Sequence, residues 1–261
     1  MTLVACLAGG AQGKMLVFPQ ASERAETAAE MEAEFKALGL GQVVVVEVDR
    51  AGADADAALK ATEGATGVYF AGGDQNRLMA VLRGTTLERR LREMYRDGAV
   101  VAGTSAGAAV MSQVMITGDE QRPFSKDEAW QTIEAGNVVT AEGLAFIEDA
   151  IVDQHFVRRR RHNRVLSLVL EQPTLLGIAV DEATAAWVKP DRTFEVVGDG
   201  PVLVVDASGA LVARDAEGDG LRGSDLRLHV LRHGSRFQLD GRAVLHLARP
   251  RGVATERCAP R

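Results

Sequence analysis

The chain has 261 residues, 46% of them hydrophobic and 25% charged, a balance that excludes disordered, collagen-like and mucin-like proteins. Thirty lysines and arginines against 36 acids leave a formal charge of −6, which favours solubility and argues against a nucleic-acid partner. Cys6 and Cys258 sit near opposite ends and suggest neither a disulfide framework nor a CxxC metal site. The opening MTLVACLAGGAQGK lacks the basic and long apolar regions of a signal peptide.

In chain order, Leu3–Leu7 and Met15–Phe18 are apolar runs, and Ser22–Leu38 carries a helical pattern of alanine and methionine opposite acids. Val43–Val48 is continuous and β-branched, as in a parallel strand buried on both faces. Helices are expected at Ala51–Thr62, Gln75–Leu82 and Leu87–Tyr95, and strands at Gly67–Phe70 and Ala99–Ala102. Gly98–Gly118 is free of formal charge for 21 residues, about a bilayer span. Its glycines, serines, threonines and glutamine fit a buried strand and helix better, so no membrane partner and a cytoplasmic location are expected. Strands follow at Ala150–Val152 and Leu176–Val180, with a helix from about Val157 to Leu170 between them. From Ala185 onward, short alternating runs separated by Gly/Asp turns read as antiparallel hairpins: Ala186–Val188, Phe194–Val197, Val202–Val205, Leu226–Leu231, Phe237–Leu239 and Ala243–Leu247. With no proline-rich linker or repeat, residues 1–261 read as one α/β domain with a β-rich part from about 185 to 261.

Gly103-Thr104-Ser105-Ala106-Gly107 is a G-x-S-x-G between an expected strand and a helix from Ala106 to about Gln113. That is the context of a nucleophile elbow, where a tight turn lifts the serine hydroxyl and turns the next backbone N–H groups toward a developing oxyanion. A plain Gly/Ser turn for close packing is the alternative.

A serine needs a base, and the chain has five histidines. His229, His233 and His246 lie in the hairpin region, and His162 is expected on the outer face of a helix. His155 instead follows an apolar strand, at the carboxyl edge where α/β sheets build ligand sites. Asp181-Glu182 follow another strand at the same kind of edge and could orient the imidazole; Asp119-Glu120 compete for that role. The order Ser…His…acid differs from the Ser…acid…His of α/β-hydrolases.

Gly72-Gly73-Asp74-Gln75 is a second strand-to-helix turn, able either to complete an oxyanion hole or simply to cap a helix through Asp74. The Walker A motif is missing from the sequence, and no cofactor or metal is expected. Arg158-Arg159-Arg160-Arg161 and Arg164 begin three residues after His155. On a helix Arg158 and Arg161 share one face and Arg160 and Arg164 another, where they could clamp carboxylates. A solvated basic face is the plainer reading.

LAGGAQGK, YFAGGDQNRL, AGTSAGAAVMS, IVDQHFVRRRRHNR and GIAVDEATA, in that order from Leu7 to Ala186, together resemble the cyanophycinases. These are a branch of the serine peptidase family that includes the aspartyl dipeptidases of the peptidase E type. The D-Q-H-F block with its arginines is far more specific than the elbow. The resemblance implies a flavodoxin-like three-layer sandwich with a mostly parallel sheet, a homodimer, and a Ser-His-acid mechanism on β-linked aspartyl substrates. Cyanophycin, a poly-aspartate with arginine on each side-chain carboxyl, would be cut to β-Asp-Arg dipeptides. By position, Ser105 would be the nucleophile, His155 the base and Glu182 the orienting acid. The N–H groups of Gly73 and Ala106 would hold the oxyanion. Gln75, Asp153, Gln154, Arg159, Arg161 and Arg164 would line the substrate pocket. Two rivals are a dipeptidase or isoaspartyl peptidase on the same scaffold and a non-catalytic peptide-binding module.

Overall fold

In the computed structural model, which describes residues 1–122 and 130–248, the first apolar run is a helix and the second a strand. α1 (Thr2–Leu7) is rich in helix-forming alanine and leucine and ends before Gly9 and Gly10, both at positive φ. β1 (Lys14–Phe18) is buried through Met15, Leu16, Val17 and Phe18. After α2 (Thr27–Ala37) comes β2 (Gln42–Val45), paired with β1 in parallel. Val44 and Val45 are only half-buried because β2 is an edge strand, not the doubly covered strand its composition suggests. Past Val45 the Gln20 amide takes over, donating to Val46 O at 2.5 Å and Val48 O at 3.4 Å.

The single helix expected over 51–62 is broken. A 3-10 turn at Gly52–Asp54, begun by Asp49 Oδ1 accepting the Gly52 N–H (2.7 Å), precedes α3 (Asp56–Ala61), and the extended backbone of Ala55 separates them. β3 (Gly67–Phe70), α4 (Gln75–Leu82), α5 (Thr86–Arg96) and β4 (Val100–Gly103) lie where expected. β4 is the second edge and half-buried throughout. The parallel sheet runs β2-β1-β3-β4, so its direction of growth reverses between β1 and β3, the point where such sheets open a crevice at their carboxyl ends. Met15, Val17 and Tyr69 pack with Ala5 and Phe35 under α1 and α2, while Phe18 and Phe70 meet at 5.2 Å.

Contacts divide the described residues into two compact units, the first Met1–Met111 with Gly143–Phe146 and the second Ser112–Glu142 with residues 147–248. The helix expected to reach Gln113 stops early: α6 is Ala106–Ala109. The second unit begins with β5 (Val114–Glu120), paired antiparallel with β6 (Val138–Glu142). β7 (Ala150–Gln154), α7 (His162–Glu171) and β8 (Leu176–Val180) form a parallel crossover. β9 (Thr184–Val188), β10 (Thr193–Gly198), β11 (Val202–Asp206), β12 (Leu211–Arg214), β13 (Leu221–Ser224), β14 (Arg227–Leu231), β15 (Arg236–Gln238) and β16 (Ala243–His246) follow.

Two sheets, β14-β11-β8-β7 and β16-β15-β10-β9, enclose Ile178, Val196, Val204 and the stacked pair Phe194–Phe237. α7 covers the first of these sheets through Val165 and Val169 against Ala179 and Val205. β7 and β8 thus extend the parallel character into a second, mixed sheet. Cys258 lies outside the described residues. Among those described, no helix is long and apolar enough to cross a membrane, and no group of three acids, histidines or cysteines could hold a metal ion.

Candidate active site

Ser105 stands between β4 and α6 with φ 52° and ψ −112°, a conformation that non-glycine residues rarely adopt. The flanking glycines make that turn sterically feasible. A Cβ on Gly103 would lie 2.3 Å from Gly107 O, and one on Gly107 would lie 2.1 Å from Phe70 O. The G-x-S-x-G spacing is therefore a packing requirement between β4, α6 and β3. Beneath it the Tyr69 hydroxyl hydrogen-bonds the Thr104 side chain, and burial, with Glu34 nearby, pushes that phenol up to about 12. Tyr69 was invisible as a site residue because it sits inside an apolar strand run.

The Gly72-Gly73 turn presses on the same place. A Cβ on Gly72 would be 3.2 Å from Ser105 Cβ, and one on Gly73, at φ 139°, would be 2.0 Å from Ala21 O. Ala21 O also accepts the Asp74 N–H at 2.8 Å. Asp74 caps α4 by accepting the Asn76 N–H at 2.8 Å, as its N-cap reading expects. Gln75 opens that helix and is 5% exposed.

In the second unit His155 follows β7 directly, also at positive φ (53°). Its Nδ1 lies 3.2 Å from Glu182 Oε1. Burial holds the imidazole below the ordinary 6.5; the Arg159 charge adds to this, and the Glu182 hydrogen bond opposes it. Asp181 has a different task, accepting the Arg158 N–H at 3.1 Å. Glu182 is the carboxylate at His155 Nδ1, and Glu120 is engaged elsewhere. The Asp119 N–H donates to Thr117 Oγ1 (3.3 Å), and Glu120 receives Asn163 Nδ2 on both oxygens (3.3 and 3.1 Å).

Arg158–Arg161 precede the helix, and of these arginines Arg164 alone lies on it. Residues 156–160 form a turn, with the Arg159 N–H on His155 O (2.9 Å) and the Arg161 N–H on Phe156 O (3.0 Å), and Arg160 takes φ 53°. The helical face-sharing expected of Arg158, Arg160, Arg161 and Arg164 therefore fails, because α7 begins only at His162. Arg158, Arg159 and Arg160 are exposed. Arg161 folds back, its Nη1 donating to Gln154 O (2.8 Å) and Gln154 Oε1 (2.7 Å); burial and the neighbouring Arg164 lower it to about 10. Arg164 and Asp153, 4% and 1% exposed, form a bidentate internal pair, with Nε to Oδ2 at 3.1 Å and Nη2 bonded to Oδ1. Asp153 Oδ1 also accepts the Gln154 N–H at 2.8 Å.

His162 is not on an outer face but half-buried at the start of α7, its ring 4.4 Å from that of Trp130. His229 packs in β14 with its ring 5.4 Å from Phe237, and His233 Nδ1 accepts the Gly198 N–H at 3.3 Å, both within the hairpins.

Comparison with known proteins decides the family. Residues 2–196 match Peptidase family S51. The chain belongs to this family. It is 34% identical to the cyanophycinase of Trichormus variabilis over 91% of its own length and 79% of the relative's. It is 35% identical to the cyanophycinase of Geminocystis herdmanii over 88% and 84%. A peptidase from an acI-B1 Actinobacterium shares the fold at a TM-score of 0.62, with 22% identity over 91% of this chain and 88% of that one. As an S51 member the protein is a serine-type peptidase with the α/β class expected of it.

Proposed function

We propose that this peptidase hydrolyses cyanophycin as an exopeptidase, releasing β-Asp-Arg through an acyl-enzyme on Ser105, within a single peptidase domain. Two observations carry the reading: a strained serine turn in the first unit and, in the second, a histidine whose Nδ1 has a carboxylate partner. The 34% identity to the cyanophycinase of Trichormus variabilis supports cyanophycin as the substrate. His155 Nε2 takes the Ser105 proton as Oγ attacks the scissile carbonyl, and Glu182 holds the ring in the tautomer that keeps its proton on Nδ1. The N–H groups of Gly73 and Ala106 stabilise the oxyanion. His155 then gives its proton to the leaving amine, and water resolves the ester. For β-Asp-Arg to leave with its side-chain amide intact, the bond cut must be the aspartate backbone amide. Gln75 and Gln154 line the site, Arg159 and Arg161 receive substrate carboxylate, and the internal Asp153–Arg164 pair holds the arginine turn in place. A homodimer and a cytoplasmic location belong to the same proposal.

The direct test is incubation of the purified protein and its Ser105→Ala form with cyanophycin, followed by mass spectrometry of the soluble products. β-Asp-Arg from the wild type alone supports the reading. A folded wild type that leaves the polymer intact and cleaves short aspartyl or isoaspartyl peptides would establish the dipeptidase alternative instead.

A pH prediction follows from His155. The base works only when neutral, and its surroundings hold it below 6.5, so the acid limb of kcat/KM lies below pH 6.5. Glu182→Gln removes the partner that favours imidazolium, so the limb should move to still lower pH. The turnover number should fall by up to about 10⁴-fold as the tautomer is lost. A limb that moves upward, or an unchanged kcat, would remove Glu182 from the mechanism.

A further inference from the structure

A β-Asp-Arg unit carries carboxylates and a guanidinium, and a site that selects it needs both signs of charge. On the cyanophycin reading, the arginine turn supplies the positive side. Asp153 cannot supply the negative one: it is 1% exposed and both its oxygens are taken by Arg164.

We propose that Glu120 and Trp130 form the subsite for the substrate's arginyl guanidinium, with Asn163 as its buried support. Glu120 ends β5, half-buried, and is held by Asn163 Nδ2 on both oxygens and by Asn137 Nδ2 at 3.4 Å. A carboxylate has about four acceptor positions, so these contacts orient it without filling it. Burial pushes the Glu120 carboxyl up from its usual range, against the Asn163 hydrogen bond and the charges of Arg164 and Arg161. Asn163 is wholly buried; with its amide nitrogen turned to Glu120 and to Thr132 Oγ1 (3.1 Å), its Oδ1 is a buried acceptor without a donor among the described residues. An acceptor left in that state costs stability until a donor or water reaches it.

Trp130 provides the surface. It is 69% exposed, yet its ring is fixed on His162, the residue beside Asn163 at the start of α7. One helix end therefore holds both the indole platform and the amide that orients Glu120. A guanidinium is suited to both, stacking on an indole face while donating in its plane to a carboxylate. Arg161 immediately precedes His162, so the two signs of charge flank the same helix start, in the pattern of a zwitterionic ligand.

Trp187 is the other tryptophan of the chain, so Trp187→Phe leaves Trp130 as the sole indole reporter. In the Ser105→Ala background, this protein is titrated with β-Asp-Arg and with β-Asp-citrulline, which keeps the shape and loses the charge. The dipeptide should change Trp130 fluorescence saturably and bind about tenfold tighter than the citrulline form. Glu120→Gln should remove most of that preference, as should Trp130→Ala, an exposed position measured by calorimetry. In the active enzyme, the kcat/KM ratio of arginyl over citrullyl substrate should fall in both variants. Unchanged preference in both variants, each shown to be folded by circular dichroism, would overturn the subsite. Arginine-selective binding without cyanophycin cleavage would refute the proposed function but not the subsite; cleavage with unaltered selectivity would do the reverse.

Discussion

Ser105→Ala is expected to lower kcat on cyanophycin by on the order of 10⁴-fold or more, with the thermal midpoint unchanged. The hydroxyl is the only part of the residue that reacts, and removing it abolishes the ester route while leaving the backbone donors of the turn in place. Alanine keeps the Cβ, so the strain at φ 52° is the same in both proteins and stability should not move. His155→Ala in the same background should add little further loss, because nucleophile and base act as a unit. Measuring single and double variants by steady-state kinetics checks this. Additive losses would mean that the two residues serve separate steps.

Asp153→Ala carries the largest expected effect on stability. It strands the Arg164 guanidinium, whose side chain is 5% exposed, without its bidentate partner, and also removes the acceptor for the Gln154 N–H. Breaking a buried pair in this way costs about 3–5 kcal/mol, most of it the penalty of an uncompensated buried charge. The denaturation midpoint of the second unit should fall accordingly. Replacing both partners with apolar residues, Asp153→Leu with Arg164→Met, should recover much of the loss, since no charge is then left buried. Activity should stay low in the double variant because the arginine turn loses its anchor. A single variant as stable as the wild type would show that the pair is not a structural keystone.

The parts of the fold that could be read from sequence are those with unambiguous punctuation. Gly67–Phe70 and Gln75–Leu82 are found where expected because an apolar run and a helical run are separated by Gly-Gly-Asp, a turn with its own cap. Ser105 was legible for the same reason, its glycines fixed by contact with Gly107 O and Phe70 O. His155 and Glu182 each follow a strand in the sequence, and the pairing of β7 with β8 brings the two side chains together.

What failed was local geometry. Four arginines in a row suit a helix by propensity, yet positive φ at His155 and Arg160 makes a turn of them, held by Asp181. β5 and β6 escaped notice because Thr117-Gly118-Asp119-Glu120 looks like a loop, and their pairing is long-range. Glu120 and Trp130 belong to that same blind region. Neither has a motif, and only folding brings Asn163 and His162 to them.

The central claim is that Ser105 is a nucleophile activated by His155. Covalent labelling with a fluorophosphonate, mapped by peptide mass spectrometry, tests it most directly. The account predicts one adduct on the peptide carrying Ser105, slowed by β-Asp-Arg, much slower in His155→Ala and missing in Ser105→Ala. A folded protein that takes up no label, or takes it up at another residue, would contradict it.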